Sequence, residues 1–70
     1  MEEIPIHTEF IRLDAFLKLA ALVGTGGEAK LRIADGEVSV NGEVCCMRGK
    51  KLHPGDTVSF DGHTFAVTTS

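Results

Sequence analysis

The first clear pattern in the chain is an apolar stripe at helical spacing. It consists of Leu13, Phe16, Leu17 and Ala20. Residues three and four positions apart share one face of an α-helix, so this stripe predicts an amphipathic helix. Asp14 would lie in its first turn, where a negative charge interacts favourably with the helix dipole. Leu19 and Leu22 extend the apolar surface, and we therefore expect a substantially buried helix from Leu13 to about Val23.

A second helix is indicated by residues typical of helix ends. Glycines at positions 24, 26 and 27 break the first helix. Thr25 and Glu28 then have the spacing of a capping box, in which the hydroxyl and the carboxylate each accept a hydrogen bond from a free backbone N–H. Gly36 is placed to end the helix in a left-handed conformation. Between these ends, Ala29 and Ile33 share one face, which predicts packing against the core.

Short alternating segments separated by turn residues predict strands. Asn41-Gly42 is the strongest two-residue hairpin signal, and the alternating segment Val38–Val40 precedes it. A second hairpin is expected around Asp61-Gly62, and His53–Asp56 has the proline and glycine of a turn. Ile4–Ile6 predicts a short edge strand, because proline is tolerated at the edge of a sheet. The order of elements predicts an α+β domain, with two short helices packed on a small antiparallel sheet of about four to five strands.

The size of the chain limits it to one domain. Its 70 residues leave no room for a second core, and we assign residues 1–70 to a single unit. A domain of this size buries only about 60% of the surface that its unfolded chain exposes, so its stability should be modest. No apolar run approaches the roughly 20 residues that span a bilayer, and the start of the chain lacks the basic residues of a secretory signal. We expect a cytoplasmic monomer that does not contact a membrane.

The residues that could ligate a metal or attack a substrate are few and poorly spaced. Cys45 and Cys46 are adjacent, which strains a disulfide between them, and without an export signal we expect reduced thiols. Structural zinc sites use spaced cysteine and histidine pairs that this sequence lacks. Asp56 and Asp61 lie in predicted turns, where short carboxylates cap backbone amides. We expect no substantial pocket, no metal, no cofactor and no catalytic activity.

The charge is distributed unevenly, although the chain is acidic overall. The formal net charge is −3, which argues against an extended basic surface. Residues 30–55, however, contain five basic and three acidic residues, a net charge of +2. The segment 44–55 has no acidic residue and contains Arg48, Lys50 and Lys51. Because salt screens charges over about 8 Å, such a local cluster can attract phosphate groups despite the overall charge.

An ordered set of motifs connects the chain with a known family. The set consists of Arg12-Leu-Asp14, Gly27-Glu-Ala-Lys30, Ile33, Gly36-Glu-Val38, Val40-Asn-Gly42 and Pro54-Gly-Asp56. In their order and spacing, these motifs resemble the RNA-binding domain named after ribosomal small-subunit protein S-four, also called the αL motif. The resemblance covers roughly residues 11–60. The segment Arg48–Lys51 is most similar to the small stand-alone bacterial members of the family.

The resemblance implies that the two helices and the following hairpin form an L-shaped surface for structured RNA. Ribosomal RNA and transfer RNA are the usual ligands of the family, and ribosomal proteins are further candidate partners. Lys30 corresponds to a basic helix position of the family, and Arg48, Lys50 and Lys51 correspond to the basic loop after the hairpin. Cationic side chains bind phosphates by displacing counterions and read little sequence.

Three more residues of the second helix are weaker candidates for RNA contact. Gly26 and Gly27 lie at a helix start, where free amides attract anions, although turning the chain between two helices is sufficient to explain both. Arg32 lies where relatives often carry an apolar residue. Many relatives have Ser-Arg where this chain has Thr25-Gly26, so one phosphate contact of the family is missing.

Two other groups of residues are expected to serve the fold. Arg12 and Asp14 should start the first helix and pair locally. The phenylalanines have the placement of core residues, and without tryptophan or tyrosine a base-stacking platform is not expected. They are Phe10, Phe16, Phe60 and Phe65.

We interpret the chain as a non-catalytic RNA-binding module that recognises folded RNA by its shape and backbone. The negative net charge leaves open a protein-interaction module that docks on a ribosomal protein or an RNA-processing factor. A third interpretation is an accessory domain of a larger enzyme, such as a pseudouridine synthase. The initial methionine and the end of the chain soon after its last predicted strand favour a stand-alone protein over that third interpretation.

Overall fold

Seven strands and two helices make up the chain, which the computed structural model describes from Met1 to Ser70. In chain order they are β1 Glu2–Ile6, β2 Ile11–Arg12, α1 Leu13–Leu19, α2 Gly26–Ala34, β3 Val38–Val40, β4 Glu43–Val44, β5 Lys51–Leu52, β6 Thr57–Phe60 and β7 His63–Thr69. Neither helix is long and apolar enough to cross a bilayer.

The first helix is shorter than the apolar pattern predicts. α1 ends at Leu19, because Ala21 adopts a left-handed conformation with φ of 58°. The Leu22 N–H then donates to the Leu17 carbonyl at 2.9 Å, and the Ala21 N–H donates to the Lys18 carbonyl at 3.0 Å. These two bonds form a Schellman motif, which usually has glycine at the left-handed position. An alanine there gives no signal in the sequence, so the prediction extended the helix too far.

This early helix end also changes which leucines are buried. Leu19 is 54% exposed, and the expectation that it extends a buried surface is wrong. Leu22 is partly buried against the core, and Val23 belongs to the core. The turn at Ala21 therefore directs the chain inward after the helix, rather than continuing the helical stripe.

The second helix has the ends that the sequence predicts, with one difference. The Thr25 hydroxyl accepts a hydrogen bond from the Glu28 N–H at 3.1 Å. The Glu28 carboxylate accepts from the Gly24 N–H at 3.0 Å, one residue before the position expected in a capping box. At the other end, Gly36 has φ of 77°. The Glu37 N–H donates to the Arg32 carbonyl at 3.1 Å, which completes a Schellman motif.

The main sheet has five strands in the order β1-β7-β6-β3-β4. The two predicted hairpins are confirmed, and their turns at Asn41-Gly42 and Asp61-Gly62 have positive φ at both residues. β1, however, pairs with β7 in parallel, so the sheet is mixed and not wholly antiparallel. A parallel pair needs a long connection between its strands, and here almost the whole chain lies between them. The α+β class is confirmed, and Pro5 lies in an edge strand as predicted.

A separate two-stranded ribbon was not predicted. β2 and β5 pair antiparallel, with Ile11 opposite Leu52 and Arg12 opposite Lys51. Each strand has only two residues, which is too short for an alternating pattern to be recognised. Leu52 is fully buried and Ile11 packs against the core, so the other pair faces outward.

The core contains fourteen buried residues, and none of them is polar or charged. It lies between the helices and one face of the sheet. Phe16, Phe60 and Phe65 belong to it, as the sequence predicts. Phe10 does not, because 38% of its surface is exposed, and the prediction that it packs in the core is wrong. Phe10 directly precedes β2, and its ring lies beside Lys51 on the outward side of the ribbon, whereas Ile11 and Leu52 face the core.

Candidate nucleic-acid interface

The basic loop, residues Arg48–Lys51, is attached to the first turn of α1 through its backbone. The Leu13 N–H donates to the Lys50 carbonyl at 2.9 Å, and the Asp14 N–H donates to the Arg48 carbonyl at 3.0 Å. The first N–H groups of a helix have no partner within the helix, so the loop supplies the partners that they lack. The loop backbone is therefore fixed, while its three side chains, Arg48, Lys50 and Lys51, stay exposed.

Four exposed side chains lie on the outward side of the β2–β5 ribbon. We call this side the outer ribbon face, and it carries Phe10, Arg12, Lys51 and His53. Its members contact one another across the two chain segments. The Lys51 ammonium lies 4.8 Å from the centroid of the Phe10 ring, and the centroids of the Phe10 and His53 rings are 6.1 Å apart.

Arg12 connects the outer ribbon face with the basic loop. Its Nε lies 3.4 Å from the Asp14 Oδ1, so the local pairing predicted from the sequence is confirmed. A Cβ atom added to Gly49 would lie 3.5 Å from the Arg12 Nη2, so the guanidinium packs directly against the backbone of the loop. Half of the Arg12 side chain remains exposed, at 54%. It can therefore still reach an anion beside the loop.

Most of the cationic side chains have no acidic partner. Ion pairs join Arg12 to Asp14 and Arg32 to two carboxylates, while the other five lysine and arginine side chains have no carboxylate oxygen within 4.0 Å. These five are Lys18, Lys30, Arg48, Lys50 and Lys51. An unpaired ammonium or guanidinium is free to bind phosphate, since no intramolecular bond must first be broken.

A comparison with known protein families identifies the family of this domain. The family described as the S4 domain matches residues 4–68, which is nearly the whole chain. The chain belongs to the S4 domain family. The resemblance found in the sequence is thereby confirmed.

Relatives of this S4 domain are small proteins that match it over most of their length. It is 48% identical over 59 residues to RlbA of Bacillus subtilis, a protein named as a candidate ribosome maturation protein, and the match covers 84% of this chain and 83% of RlbA. It is 40% identical over 57 residues to YbcJ of Escherichia coli, named as a candidate RNA-binding protein, and the match covers 81% of each.

A solved structure shows the same architecture. The solution structure of Escherichia coli YbcJ is similar to this S4 domain with a TM-score of 0.66 and 35% identity, over 97% of this chain and 85% of YbcJ. Its description reports an αL motif involved in RNA binding. The resemblance found in the sequence implies that the motif consists of two helices and the following hairpin, which in this structure are α1, α2 and the hairpin formed by β3 and β4.

The predicted contact residues of α2 differ in their surroundings. Arg32 lies 3.7 Å from a Glu28 oxygen and 3.1 Å from a Glu37 oxygen, so two carboxylates neutralise its charge. Lys30 is exposed and has no ion pair. α1 packs against α2 and carries the basic loop at its first turn, so Lys30 and the loop belong to elements that share α1 as a neighbour.

Gly26 and Gly27 form the first turn of α2. Both are exposed, and helix geometry leaves their N–H groups without a partner. The Glu28 carboxylate lies at the same helix end, where it accepts from the Gly24 N–H. Its negative charge opposes the approach of a phosphate to these amides. The contact predicted for the two glycines therefore has weaker structural support than that of the basic loop.

A hydrogen-bonded turn fixes the end of the outer ribbon face. The Asp56 carboxylate accepts from the His53 N–H at 2.7 Å and from the Asn41 side-chain amide at 3.1 Å. The hydrogen bond from the His53 backbone is the largest cause that lowers the pKa of Asp56 from its ordinary 3.8, and the bond from Asn41 acts in the same direction. The Asn41 oxygen also accepts from the Thr57 N–H at 2.9 Å. The β3–β4 hairpin and the turn before β6 are thus tied together.

An open groove of about 430 Å³ lies beside the basic loop. Its lining residues are Val40, Asn41, Glu43, Val44, Cys45, Cys46, Met47 and Lys50. Both cysteines are free thiols, and no group of three or more histidine, cysteine, aspartate or glutamate side chains is arranged to hold a metal ion. Val44 and Met47 are 63% and 66% exposed, so the groove has an apolar rim.

Sequence reasoning missed two members of this surface. Arg12 and Phe10 were assigned to the fold, whereas both lie on the outer ribbon face. The position opposite Arg12 follows from the register of β2 and β5, which join segments about 40 residues apart in the chain, and Phe10 lies next to His53 just outside the two strands. The only signal in the sequence is that Ile11 and Leu52 are apolar while their neighbours are polar or aromatic.

Proposed function

We propose that this S4 domain is a non-catalytic RNA-binding protein that holds folded RNA through its phosphates. The names of RlbA and YbcJ support this proposal, because one refers to ribosome maturation and the other to RNA binding. Both proteins match this chain over more than 80% of their length, so the proposal does not depend on a domain that this chain lacks. The name of RlbA favours ribosomal RNA over transfer RNA.

The observation that carries the proposal is the attachment of the basic loop to α1. A flexible loop would lose conformational freedom on binding, which opposes association. Here the Arg48 and Lys50 carbonyls already bind the helix start, so the unpaired side chains project from an ordered backbone. Each phosphate that they contact releases counterions, which provides affinity without reading the sequence.

Lys30 is proposed to bind a second position on the RNA backbone. α1 packs against α2 and is hydrogen-bonded to the basic loop. It therefore holds Lys30 and the side chains of the basic loop in a fixed relation to each other. Two cationic positions held by one fold can select RNA by shape, since A-form helices present their phosphates across a wide and shallow minor groove. Arg32 is left out of the proposal, because Glu28 and Glu37 already pair with it.

Replacing two lysines of the basic loop tests the proposal. In the double variant Lys50→Ala and Lys51→Ala, we expect weaker binding to purified ribosomal RNA and a salt dependence reduced by about two charges, roughly one per lost phosphate contact. The measurement is the dissociation constant over a series of about 50 to 200 mM salt. The thermal midpoint should change little, because both side chains are exposed.

Arg32→Ala is the matched control. It also removes positive charge from an exposed position, but we expect the slope of affinity against salt to stay at the parent value. An equal slope in the double lysine variant and the parent would overturn the role of the basic loop. Absence of binding to any folded RNA, even in dilute salt, would overturn the proposed function as a whole.

Docking on a protein is the second candidate function. The exposed side chains of Val44 and Met47 beside the groove favour it, as does the net charge of −3. The partner would be a ribosomal protein or an RNA-processing factor. A domain of this kind would show no appreciable affinity for naked RNA, even in dilute salt.

A further inference from the structure

Phe10 has an environment unlike that of the other phenylalanines. It is 38% exposed, whereas Phe16, Phe60 and Phe65 are at most 9% exposed. An exposed aromatic ring loses much of the benefit of burial, and the core of this S4 domain is complete without it. The ring lies instead beside the Lys51 ammonium on the outer ribbon face.

The chain around Phe10 holds it at this position. Ile11 pairs with Leu52 in the ribbon, and Leu52 is fully buried. The Thr8 hydroxyl donates to the Phe10 carbonyl at 2.7 Å, and the His53 ring lies beside the Phe10 ring with 6.1 Å between centroids. The position of the aromatic ring is therefore set by the neighbouring backbone and not by core packing.

The charges beside the ring suit a nucleotide. Lys51 lies 4.8 Å from the ring centroid, and its partner across the ribbon is Arg12. Of the carboxylates close to this face in the chain, Asp14 and Asp56 are occupied by Arg12 and by the His53 backbone, while Glu9, next to Phe10, is exposed and has no ion pair. A base stacked on an aromatic ring places its own phosphates a few ångströms away, where exposed cations can bind them.

We propose that Phe10 stacks on one unpaired base of the bound RNA. Lys51 then leaves the ring for a phosphate next to that base, and Arg12 contacts the neighbouring phosphate. This inference rests on the proposed RNA binding and adds to it. A continuous duplex keeps its base faces stacked inside, so the target must carry a bulged, looped or terminal nucleotide. Stacking is tolerant of base identity, because every base has an aromatic face.

The test compares two RNA hairpins that differ by one nucleotide. One stem contains a single bulged adenosine, and the other is fully paired. For Phe10→Ala we expect a loss of affinity of roughly 5- to 150-fold for the bulged hairpin, the effect of one stacked base. The affinity for the paired hairpin should stay within about twofold. The salt dependence should not change for either RNA, because the substitution removes no phosphate contact.

Two further variants separate stacking from apolar contact and from altered folding. Phe10→Leu keeps an apolar side chain without the aromatic face, and we expect it to behave as Phe10→Ala. Phe10→Trp should retain or increase the affinity for the bulged hairpin. The parent chain has no tryptophan, so the fluorescence of this variant comes from position 10 alone and should be quenched by the bulged adenosine.

The outcomes distinguish this inference from the proposed function. Equal losses for both hairpins with Phe10→Ala, full affinity with Phe10→Leu, or unquenched fluorescence with Phe10→Trp would each overturn stacking. If the lysine variants still show their reduced salt dependence in that case, phosphate binding stands without it. If the parent binds neither hairpin in dilute salt, both the proposed function and the stacking inference fail.

Discussion

At the scale of single residues, neighbours decide what a charged side chain can do. Lys30 and Arg32 are two positions apart in one helix, and both are exposed cations. Arg32 has Glu28 one turn before it and Glu37 just beyond the helix end, and it pairs with both. The pair with Glu28 has the spacing of a helical ion pair and could be read from the sequence. The pair with Glu37 depends on the turn that Gly36 makes.

Asp56 provides a prediction at this scale. Asp56→Asn replaces one acceptor oxygen by a donor group, so either the His53 N–H or the Asn41 side-chain amide loses its partner, and we expect the free energy of unfolding at pH 7 to fall by about 1–2 kcal/mol. The folded pKa of Asp56 lies below its ordinary 3.8. Its stabilising contribution is therefore complete above about pH 5 and is lost as the pH falls through 3.8 towards the folded value.

Denaturant unfolding of both proteins across this pH range checks the prediction. The gap in unfolding free energy between the parent and Asp56→Asn should be constant from pH 7 to about 5 and should narrow below 3.8. His53→Ala is the control, because it keeps the backbone N–H that makes the main bond. A gap of the same size at pH 3 and pH 7 would contradict the role assigned to the carboxylate charge.

At the scale of elements, both helices end in the same motif with different residues. α2 ends at a glycine, Gly36, and α1 ends at an alanine, Ala21, each in the left-handed region. Glycine adopts that conformation with little strain, whereas a residue with a Cβ atom does so at a cost. The sequence therefore predicts the end of α2 correctly and misses the end of α1. Packing of Leu22 and Val23 against the core offsets the strain at Ala21.

Substitution of Gly36 measures this strain directly. Gly36→Ala should lower the free energy of unfolding by about 1 kcal/mol, because φ is 77° and alanine is strained there. A Cβ atom would lie 3.6 Å from a Val44 methyl group, an ordinary contact, so a clash would not explain the effect. Thermal or denaturant unfolding is the measurement.

Gly26→Ala, at the start of α2, is the matched control for the substitution of Gly36. Its φ is not positive and a Cβ atom there would meet nothing within 4 Å, so we expect no loss of stability and a gain of up to about 0.5 kcal/mol from the stiffer unfolded chain. Equal effects at the two glycines would show that the conformation at Gly36 is not what matters.

At the scale of the whole molecule, the first and last strands of the chain pair with each other in the main sheet. β1 pairs in parallel with β7 from Glu2 opposite Phe65 to Ile6 opposite Thr69, and the Ser70 N–H donates to the Ile6 carbonyl at 3.0 Å. Ile6 is 3% exposed and belongs to the core. The N-terminal strand is thus a structural part of the domain, although it lies far in sequence from its partner.

Ile6→Ala tests how much β1 contributes to the stability of the domain. We expect the free energy of unfolding to fall by about 2–4 kcal/mol, the usual cost of removing a buried branched side chain. In a domain of this size that loss lowers the thermal midpoint by about 10 °C or more. Leu19→Ala removes a leucine that is 54% exposed and should cost less than about 1 kcal/mol. Similar midpoints for the two variants would contradict the place of β1 in the core.

The sequence by itself determined the features that depend on near neighbours. The capped start of α2, its end at Gly36 and the hairpin turns at Asn41-Gly42 and Asp61-Gly62 involve backbone conformations that a few adjacent residues prefer. The α+β class follows from their order, and the S4 domain motifs could be recognised from the same local spacing. The basic loop could likewise be identified as a cluster of cations.

Only the tertiary structure decided which distant residues meet. The register of β2 and β5 brings Phe10 and Arg12 to the side of Lys51 and His53, and two-residue strands carry no periodic pattern that would predict this pairing. The parallel pairing of β1 with β7 and the hydrogen bonds between the basic loop and α1 also join segments that are remote in sequence. These contacts form because burying Ile11 and Leu52 and pairing free backbone groups stabilise the folded chain as a whole, a balance that no short stretch of sequence expresses.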